Sequence, residues 1–230
     1  MGKVILISGG SEGLGKEITK ILSCNHSVTI LSTSREKLEA VAGEFQCAFE
    51  VCDVTNHDNV DACVSGAIQK HQRIDVLINN AGVHIAGPLE TNSFEDIKRV
   101  VDVNVIGPMI LTRAVIPQMK SQGEGTIINI ISQAGLYGKA ERSVYHATKF
   151  AMTGFTKSLE MELSPFGIRV IGIYPGHMRT KFFEKAGGQV DWENAIEPAE
   201  VAKLVEYIVN SDPKTTFPEL GIKFIKDKIF

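Results

Sequence analysis

Short, wholly apolar runs recur along this chain between longer amphipathic stretches, and they limit the possible fold more than any other feature. Val4-Ile5-Leu6-Ile7 and Ile127-Ile128-Asn129-Ile130-Ile131 show no regular alternation of apolar and polar residues. A strand wetted on one face alternates, so continuous runs imply strands covered on both faces, as in a parallel sheet between helical layers. Strands are expected at Lys3–Ser8, Ser27–Ser32, Gln46–Val51, Val76–Asn79, Gly125–Ile131, Arg169–Tyr174 and Gly221–Ile225. Helices are expected near 13–24, 34–43, 57–72, 94–120, 143–164 and 198–210. Repeating β-α units predict a doubly wound parallel α/β sheet of about seven strands, with helices on both faces and ligands at the carboxyl ends of the strands. No linker, low-complexity tract or internal repeat interrupts the 230 residues, so one domain over 1–230 is expected.

Composition narrows the partners. With 43% hydrophobic and 22% charged residues the chain has the balance of a globular protein, and a net charge of −3 without a basic block argues against a nucleic-acid surface. No apolar run in the sequence suggests a membrane span, and the opening Met1-Gly2-Lys3 has no signal-peptide pattern, so the cytoplasm is the expected compartment. Cys24, Cys47, Cys52 and Cys63 lack metal-ligand spacing, as do the histidines; reduced thiols and no metal site are expected.

Four positions after the apolar runs carry chemistry. Ser8-Gly9-Gly10-Ser11-Glu12-Gly13-Leu14-Gly15 joins the first strand to a helix, either as a mere tight turn or as a backbone cradle for a pyrophosphate at the helix amino terminus. Asn79-Asn80-Ala81-Gly82 ends the fourth strand, as turn chemistry or as the wall of a groove for a flat ligand. Asp53 ends the third strand, where it either caps the next helix or bonds an adenine amino group. Ser132 ends the fifth strand, where a hydroxyl either caps a turn or polarises a substrate oxygen. Asn104 stands four residues before Pro108, whose missing N–H would leave the Asn104 carbonyl free to hold a water, unless the proline merely kinks a long helix.

Tyr145 and Lys149 are four residues apart on a predicted helix, so they share a face and approach to about 5–6 Å. Bringing a phenol from its ordinary pKa near ~10 to neutrality requires roughly 4 kcal/mol. A cation about 5 Å away at an effective dielectric near 20 supplies roughly 3 kcal/mol. A lysine together with a second cation, such as an oxidised nicotinamide ring, would make Tyr145 an acid–base group.

Together, Gly9-x-x-x-Gly13-x-Gly15, Asn79-Asn80-Ala81-Gly82, Asn104, Ser132, Tyr145-x-x-x-Lys149 and Pro175-Gly176 resemble the short-chain dehydrogenase/reductase family in its compact type, over nearly the whole chain. The resemblance implies a Rossmann fold and an oxidoreductase acting between a nicotinamide cofactor and a small carbonyl or secondary alcohol. In that reading Tyr145 exchanges a proton with the substrate oxygen, Lys149 lowers its pKa and holds the nicotinamide ribose, Ser132 fixes the substrate oxygen and Asn104 holds a water behind Lys149. The cofactor is expected along Gly9, Ser11, Glu12, Gly13, Leu14 and Gly15, and against Asn80, Ala81 and Gly82. Asp53 and Val54 are expected at its adenine, and Pro175, Gly176, Met178 and Thr180 near its carboxamide. Ser8, Leu14 and Ile131 replace a threonine, an isoleucine and a second serine common in the family, and none of these changes removes a required functional group.

Where NAD users carry an acidic residue after the second strand, this chain has Ser32-Thr33-Ser34-Arg35. Hydroxyls and a guanidinium suit a 2′-phosphate, so NADP is expected, with NAD as the alternative. Glu12 weighs the other way, because NADP users of the family often have Arg or Lys there. His84, Ser132, Gln133, Tyr137, His177 and Phe182 are the expected substrate-facing residues. A lid is expected over about 176–197, from Phe182, Phe183 and Trp192 beside Gly187 and Gly188. The resemblance also implies a homodimer or homotetramer through the helices at 94–120 and 143–164. A catalytically silent cofactor-binding scaffold is the competing class, but it would be expected to have lost one of Asn104, Ser132, Tyr145 or Lys149, and all four are present.

Overall fold

The computed structural model describes residues 2–182 and 193–226. Strands and helices alternate: β1 (Val4–Ser8), α1 (Gly13–Leu22), β2 (Ser27–Ser32), α2 (Arg35–Phe45), β3 (Ala48–Val51), α3 (His57–His71) and β4 (Val76–Asn79). There follow α4 (Phe94–Val101), α5 (Gly107–Gln122), β5 (Gly125–Ile130), α6 (Ser143–Leu163), β6 (Ile168–Pro175), α7 (Pro198–Asn210) and β7 (Glu219–Ile222). The seven strands form one sheet in the order β3-β2-β1-β4-β5-β6-β7, every neighbouring pair parallel.

The apolar runs have the predicted cause. Ile5 and Ile7 of β1 point into a core closed by Leu14, Ile18 and Leu22 of α1 and by Val201 and Val205 of α7. Leu6, between them, points into a second core with Val60 and Val64 of α3, Leu111 and Val115 of α5 and Leu159 of α6. Side chains alternate across a strand, so a strand with a core on each face is apolar at every position. Each fully buried Ile or Leu contributes roughly 1.5–3 kcal/mol.

Three details differ from the sequence expectation. The helix expected over 94–120 is broken: a π-helical turn spans Asp102–Ile106, where Gly107 N–H bonds the Asp102 carbonyl five residues back, and Pro108 opens α5. Pro108 has no N–H to continue the α-helical ladder, so the chain widens by one residue there. The last strand begins at Glu219, two residues before the expected Gly221, because pairing of Gly172 with Glu219 through Pro175 with Ile222 sets its register, and not its own hydrophobicity. By length and composition Phe94–Gln122 would also suffice to cross a membrane, contrary to the sequence expectation. Here Leu111, Val115 and Met119 are wholly buried in the second core, so much of its apolarity faces the sheet.

Candidate active site

A cleft of about 950 Å³ opens at the carboxyl ends of the strands, beside the point where strand order reverses between β1 and β4. Its floor is the glycine turn. Gly9 and Gly13 adopt φ of +66° and +50°, which side-chain-bearing residues avoid. A Cβ on Gly15 would lie 2.0 Å from the Gly9 carbonyl oxygen. Ser11, Glu12 and Leu14 line the same floor, and α1 starts at Gly13 without an acidic residue in its first turn. The first N–H groups of a helix have no partners within it, so α1 brings a partly positive end to the cleft floor, which suits an anion.

Ser8 ties this turn to the opposite wall. Its hydroxyl accepts from Asn80 N–H and Ala81 N–H, both at 3.1 Å, while the Asn80 amide donates to the Ser8 and Gly9 carbonyls at 3.2 and 3.0 Å. Asn80, Ala81 and Gly82 form one wall, and Pro175, Gly176, Met178 and Thr180 form another. Asp53 and Val54 close the end near β3, with Ser32 and Thr33 beside them. Asp53 also accepts from Thr55 N–H and Oγ1 at 2.9 and 2.7 Å, so one of its oxygens shapes the turn into α3.

The reacting end is dry. Tyr145 and Lys149 are 4% and 7% exposed, and the Lys149 ammonium stands 5.7 Å from the Tyr145 ring centre, as the four-residue spacing predicts. Lys149 Nζ donates to the Ile130 carbonyl at 3.3 Å. The Ser132 hydroxyl accepts from Ala134 N–H at 3.1 Å and pulls the pKa of the Tyr145 phenol downwards. Ser132 itself has φ +150° and ψ 159°, a region that glycine favours and that costs other residues about 1–3 kcal/mol. The turn holding it is clipped to α6 by Thr153 Oγ1, which donates to the Gly135 carbonyl at 3.1 Å. Asn104 lies in the π-helical turn. Its Oδ1 accepts from Val83 N–H at 2.8 Å, and its Nδ2 donates to the Val83 carbonyl at 2.8 Å and to Thr148 at 3.2 Å.

The expected lowering of the phenol by Lys149, to be completed by a second cation, is outweighed at this end by burial. Burial pushes Tyr145 up to about 12, against the opposing pull of the Ser132 hydrogen bond and the Arg142 charge. Burial likewise brings Lys149 down to about 8. Desolvation dominates both groups, and it disfavours the charged form of each.

The expected 2′-site is brought together only in part. Ser32 and Thr33 line the cleft, but Ser34 and Arg35 stand outside its lining, and Arg35 pairs with Glu39 one turn along α2 at 3.6 Å. The guanidinium that favoured NADP therefore does not face the cleft. Glu12 instead meets Lys37 at 2.6 Å, a pair that sequence spacing did not indicate. Lys16, Arg99 and Val103 also line the cleft without having been expected there. Lys16 directly follows the glycine turn, and Val103 directly precedes Asn104, so adjacency to the motifs was the available signal.

On the substrate side, His84 and Phe182 line the cleft, with ring centres 4.6 and 6.1 Å from that of Tyr145. Burial, reinforced by Arg142 and His146, lowers His84 to about 4, so its ring is neutral near pH 7. Gln133, Tyr137 and His177 lie outside the cleft lining. Gln133 is buried in the turn after Ser132, where its carbonyl accepts from Leu136 and Tyr137 N–H groups. His177 uses its carbonyl to accept from Ile196 N–H. His146 bonds the Tyr137 carbonyl through Nδ1 at 2.5 Å, which fixes the loop carrying Tyr137, and its ring stands T-shaped to that of Tyr145 with centres 6.1 Å apart. Of the expected lid, Phe183, Gly187, Gly188 and Trp192 lie outside the described residues.

The fold recurs among known proteins. The family model for short chain dehydrogenases matches residues 3–191. A 3-alpha-(or 20-beta)-hydroxysteroid dehydrogenase of Mycobacterium bovis is 36% identical over 238 aligned positions, which cover 99% of this chain and 88% of the relative. An alcohol dehydrogenase from the archaeon Thermococcus sibiricus, solved with 5-hydroxy-NADP, superposes with a TM-score of 0.92 over 100% of both chains; at 22% identity it speaks to the fold. A 3-ketoacyl-(acyl-carrier-protein) reductase from Brucella melitensis, solved with NADH, is 28% identical, with a TM-score of 0.91 and 98% of each chain covered.

Proposed function

Because this chain belongs to the short-chain dehydrogenase family, we propose that it transfers a hydride between NADP(H), with NAD(H) as the alternative, and a small carbonyl or secondary alcohol. The observation that carries this reading is the dry end of the cleft, where buried Tyr145 lines the cleft beside Ser132 and has the Lys149 ammonium 5.7 Å from its ring. The nicotinamide supplies or accepts the hydride when bound. The glycine turn and the amino terminus of α1 would hold its pyrophosphate, Asn80 to Gly82 its inner face, and Lys149 its ribose hydroxyls.

The chain's own groups handle the proton. Tyr145, held protonated by burial, donates to the carbonyl oxygen during reduction. Ser132, oriented by Ala134 N–H, places a second hydrogen bond on that oxygen. Oxidation requires the phenolate, which Lys149 and a further cation in the cleft would stabilise. Asn104 fixes the Val83 backbone and Thr148, and with them the approach behind Lys149. Neutral His84 and Phe182 put two aromatic rings beside Tyr145 on the substrate side, which suits a ketone with an apolar body. Exposed Phe94 on α4, and Phe150 and Met161 on α6, support assembly into a homodimer or homotetramer through these helices.

The test is cofactor oxidation across a panel of ketones. Turnover of at least one ketone is expected for the native chain. In Tyr145→Phe turnover should fall by about 10²–10⁴-fold with NADPH affinity preserved. Tight NADPH binding with no turnover of any ketone would support the silent-scaffold reading instead.

A further inference from the structure

We propose that Thr153 is the positioning residue for Ser132, holding the serine hydroxyl and the Tyr145 phenol on one rigid body; this rests on the hydride-transfer reading given above. Tyr145, Lys149 and Thr153 are spaced i, i+4 and i+8 along α6. At 3.6 residues per turn, successive members of such a series are rotated by only about 40°, so the three side chains descend one face of the helix. The Thr153 hydroxyl proton is shared between two carbonyls, that of Lys149 at 3.2 Å and that of Gly135 at 3.1 Å. The first is the ordinary return of a helical threonine to the carbonyl four residues back. The second leaves the helix and reaches the turn that begins at Ser132.

Ser132 needs such an anchor. Its φ of +150° is a conformation that a side-chain-bearing residue keeps only where the surroundings impose it. Its hydroxyl accepts from Ala134 N–H at 3.1 Å and its carbonyl from Gly135 N–H at 2.9 Å, and both bonds lie inside the turn itself. They shape the turn without placing it. Thr153 places it, by fastening Gly135 to the helix face that carries Tyr145 and Lys149, and His146 adds a second tie farther along at the Tyr137 carbonyl. A Cβ on Gly135 would lie 2.7 Å from Thr153 Oγ1 and 2.8 Å from the Lys149 carbonyl oxygen, so the turn rests on α6 as closely as a bare backbone can. The acid and the hydroxyl that shares its substrate oxygen are thereby referred to the same helix. A misplacement of about 1 Å in such a constellation can cost on the order of 10²-fold in rate, and loosening one clip should cost part of that.

Turnover of a reduced ketone, NADPH affinity and amide hydrogen exchange together test this role. Thr153→Val replaces the hydroxyl by a methyl of similar size; kcat should fall by about tenfold while NADPH affinity stays within about twofold. Thr153→Ser returns the hydroxyl and should recover kcat to within about threefold of the native value. In Ser132→Ala no hydroxyl is left to place, so adding Thr153→Val there should cost less than about twofold more. Exchange of Ala134 N–H should quicken in Thr153→Val, because the turn opens more often once its tie to α6 is cut. Equal losses in the valine and serine variants, a full tenfold loss on top of Ser132→Ala, or unchanged Ala134 exchange would overturn the proposal. A native chain that turns over no ketone would remove the hydride-transfer reading instead, and faster Ala134 exchange in Thr153→Val would still uphold the clip.

Discussion

At the reacting end of the cleft Tyr145 and Lys149 are 4% and 7% exposed, whereas at the glycine turn the side chains of Glu12 and its partner Lys37 are 44% and 48% exposed. The first end is held by burial and by backbone: Lys149 on the Ile130 carbonyl, Ser132 on Ala134 N–H, and Gly135 clipped by Thr153. The second is held by long side chains that choose among surface partners. Dry groups have shifted pKa values and little freedom, while wet ion pairs are weak and can re-pair at small cost. One end of the cleft is therefore rigid and the other adjustable, and the proposed function places the proton transfer at the rigid end.

Lys149→Met tests the dry end most severely. Turnover should fall by about 10²-fold or more. Stability should move the other way. Lys149 titrates near 8 in the fold against an ordinary 10.5, and at about 1.4 kcal/mol per pH unit its burial as a cation costs roughly 3 kcal/mol at neutral pH. The unfolded chain binds the extra proton between those two values, so native stability rises with pH across that window. The methionine variant should gain about 2 kcal/mol in urea unfolding at pH 7, and the gain should shrink by pH 9.5. Tyr145, raised from 10 to about 12, acts in the opposite direction only above pH 10. A variant no more stable than the native chain at pH 7 would mean that the ammonium is solvated, and the contrast between the two ends would collapse.

Ser132 offers a smaller effect at the same end. Its φ of +150° suits glycine, so Ser132→Gly should be more stable than Ser132→Ala by about 1 kcal/mol, although both lose the hydroxyl and should lose turnover alike. Melting temperatures of the two variants decide this. A glycine variant less stable than the alanine one would show that the backbone there is not strained.

The same division governs what could be read in advance. Tyr145 and Lys149 were legible because a helix converts a spacing of four into a distance, and burial then leaves few alternatives. The sheet was legible because strands apolar at every position allow only a doubly covered layer. The π-helical turn at Asp102–Ile106 was legible only as a proline and a carbonyl without a partner, since the widened turn is a cooperative solution of the whole α4–α5 rod. Ser132 was legible as a hydroxyl at a strand end, but its strain depends on Gly135 and Thr153, contacts made across the fold. At the wet end, position after β2 made Arg35 look like the phosphate ligand. The rotation of α2 about its axis, which the local sequence does not specify, turned Arg35 to Glu39 and brought Lys37 to Glu12.

Arg35→Ala is the mildest perturbation and the sharpest check on that rotation. The pair it breaks is an exposed i,i+4 contact at 3.6 Å, with side chains 68% and 55% exposed. Such pairs contribute about 0.3–0.5 kcal/mol, so unfolding free energy should change by less than about 0.5 kcal/mol. Because the guanidinium lies outside the cleft lining, the ratio of NADPH to NADH dissociation constants should stay within about twofold of the native value, a limit of roughly 0.4 kcal/mol. A tenfold loss confined to NADPH would place Arg35 on the phosphate after all, and would require α2 to turn when the cofactor binds. The wet end would then be rebuilt by its ligand, a stronger form of the adjustability that separates it from the reacting end.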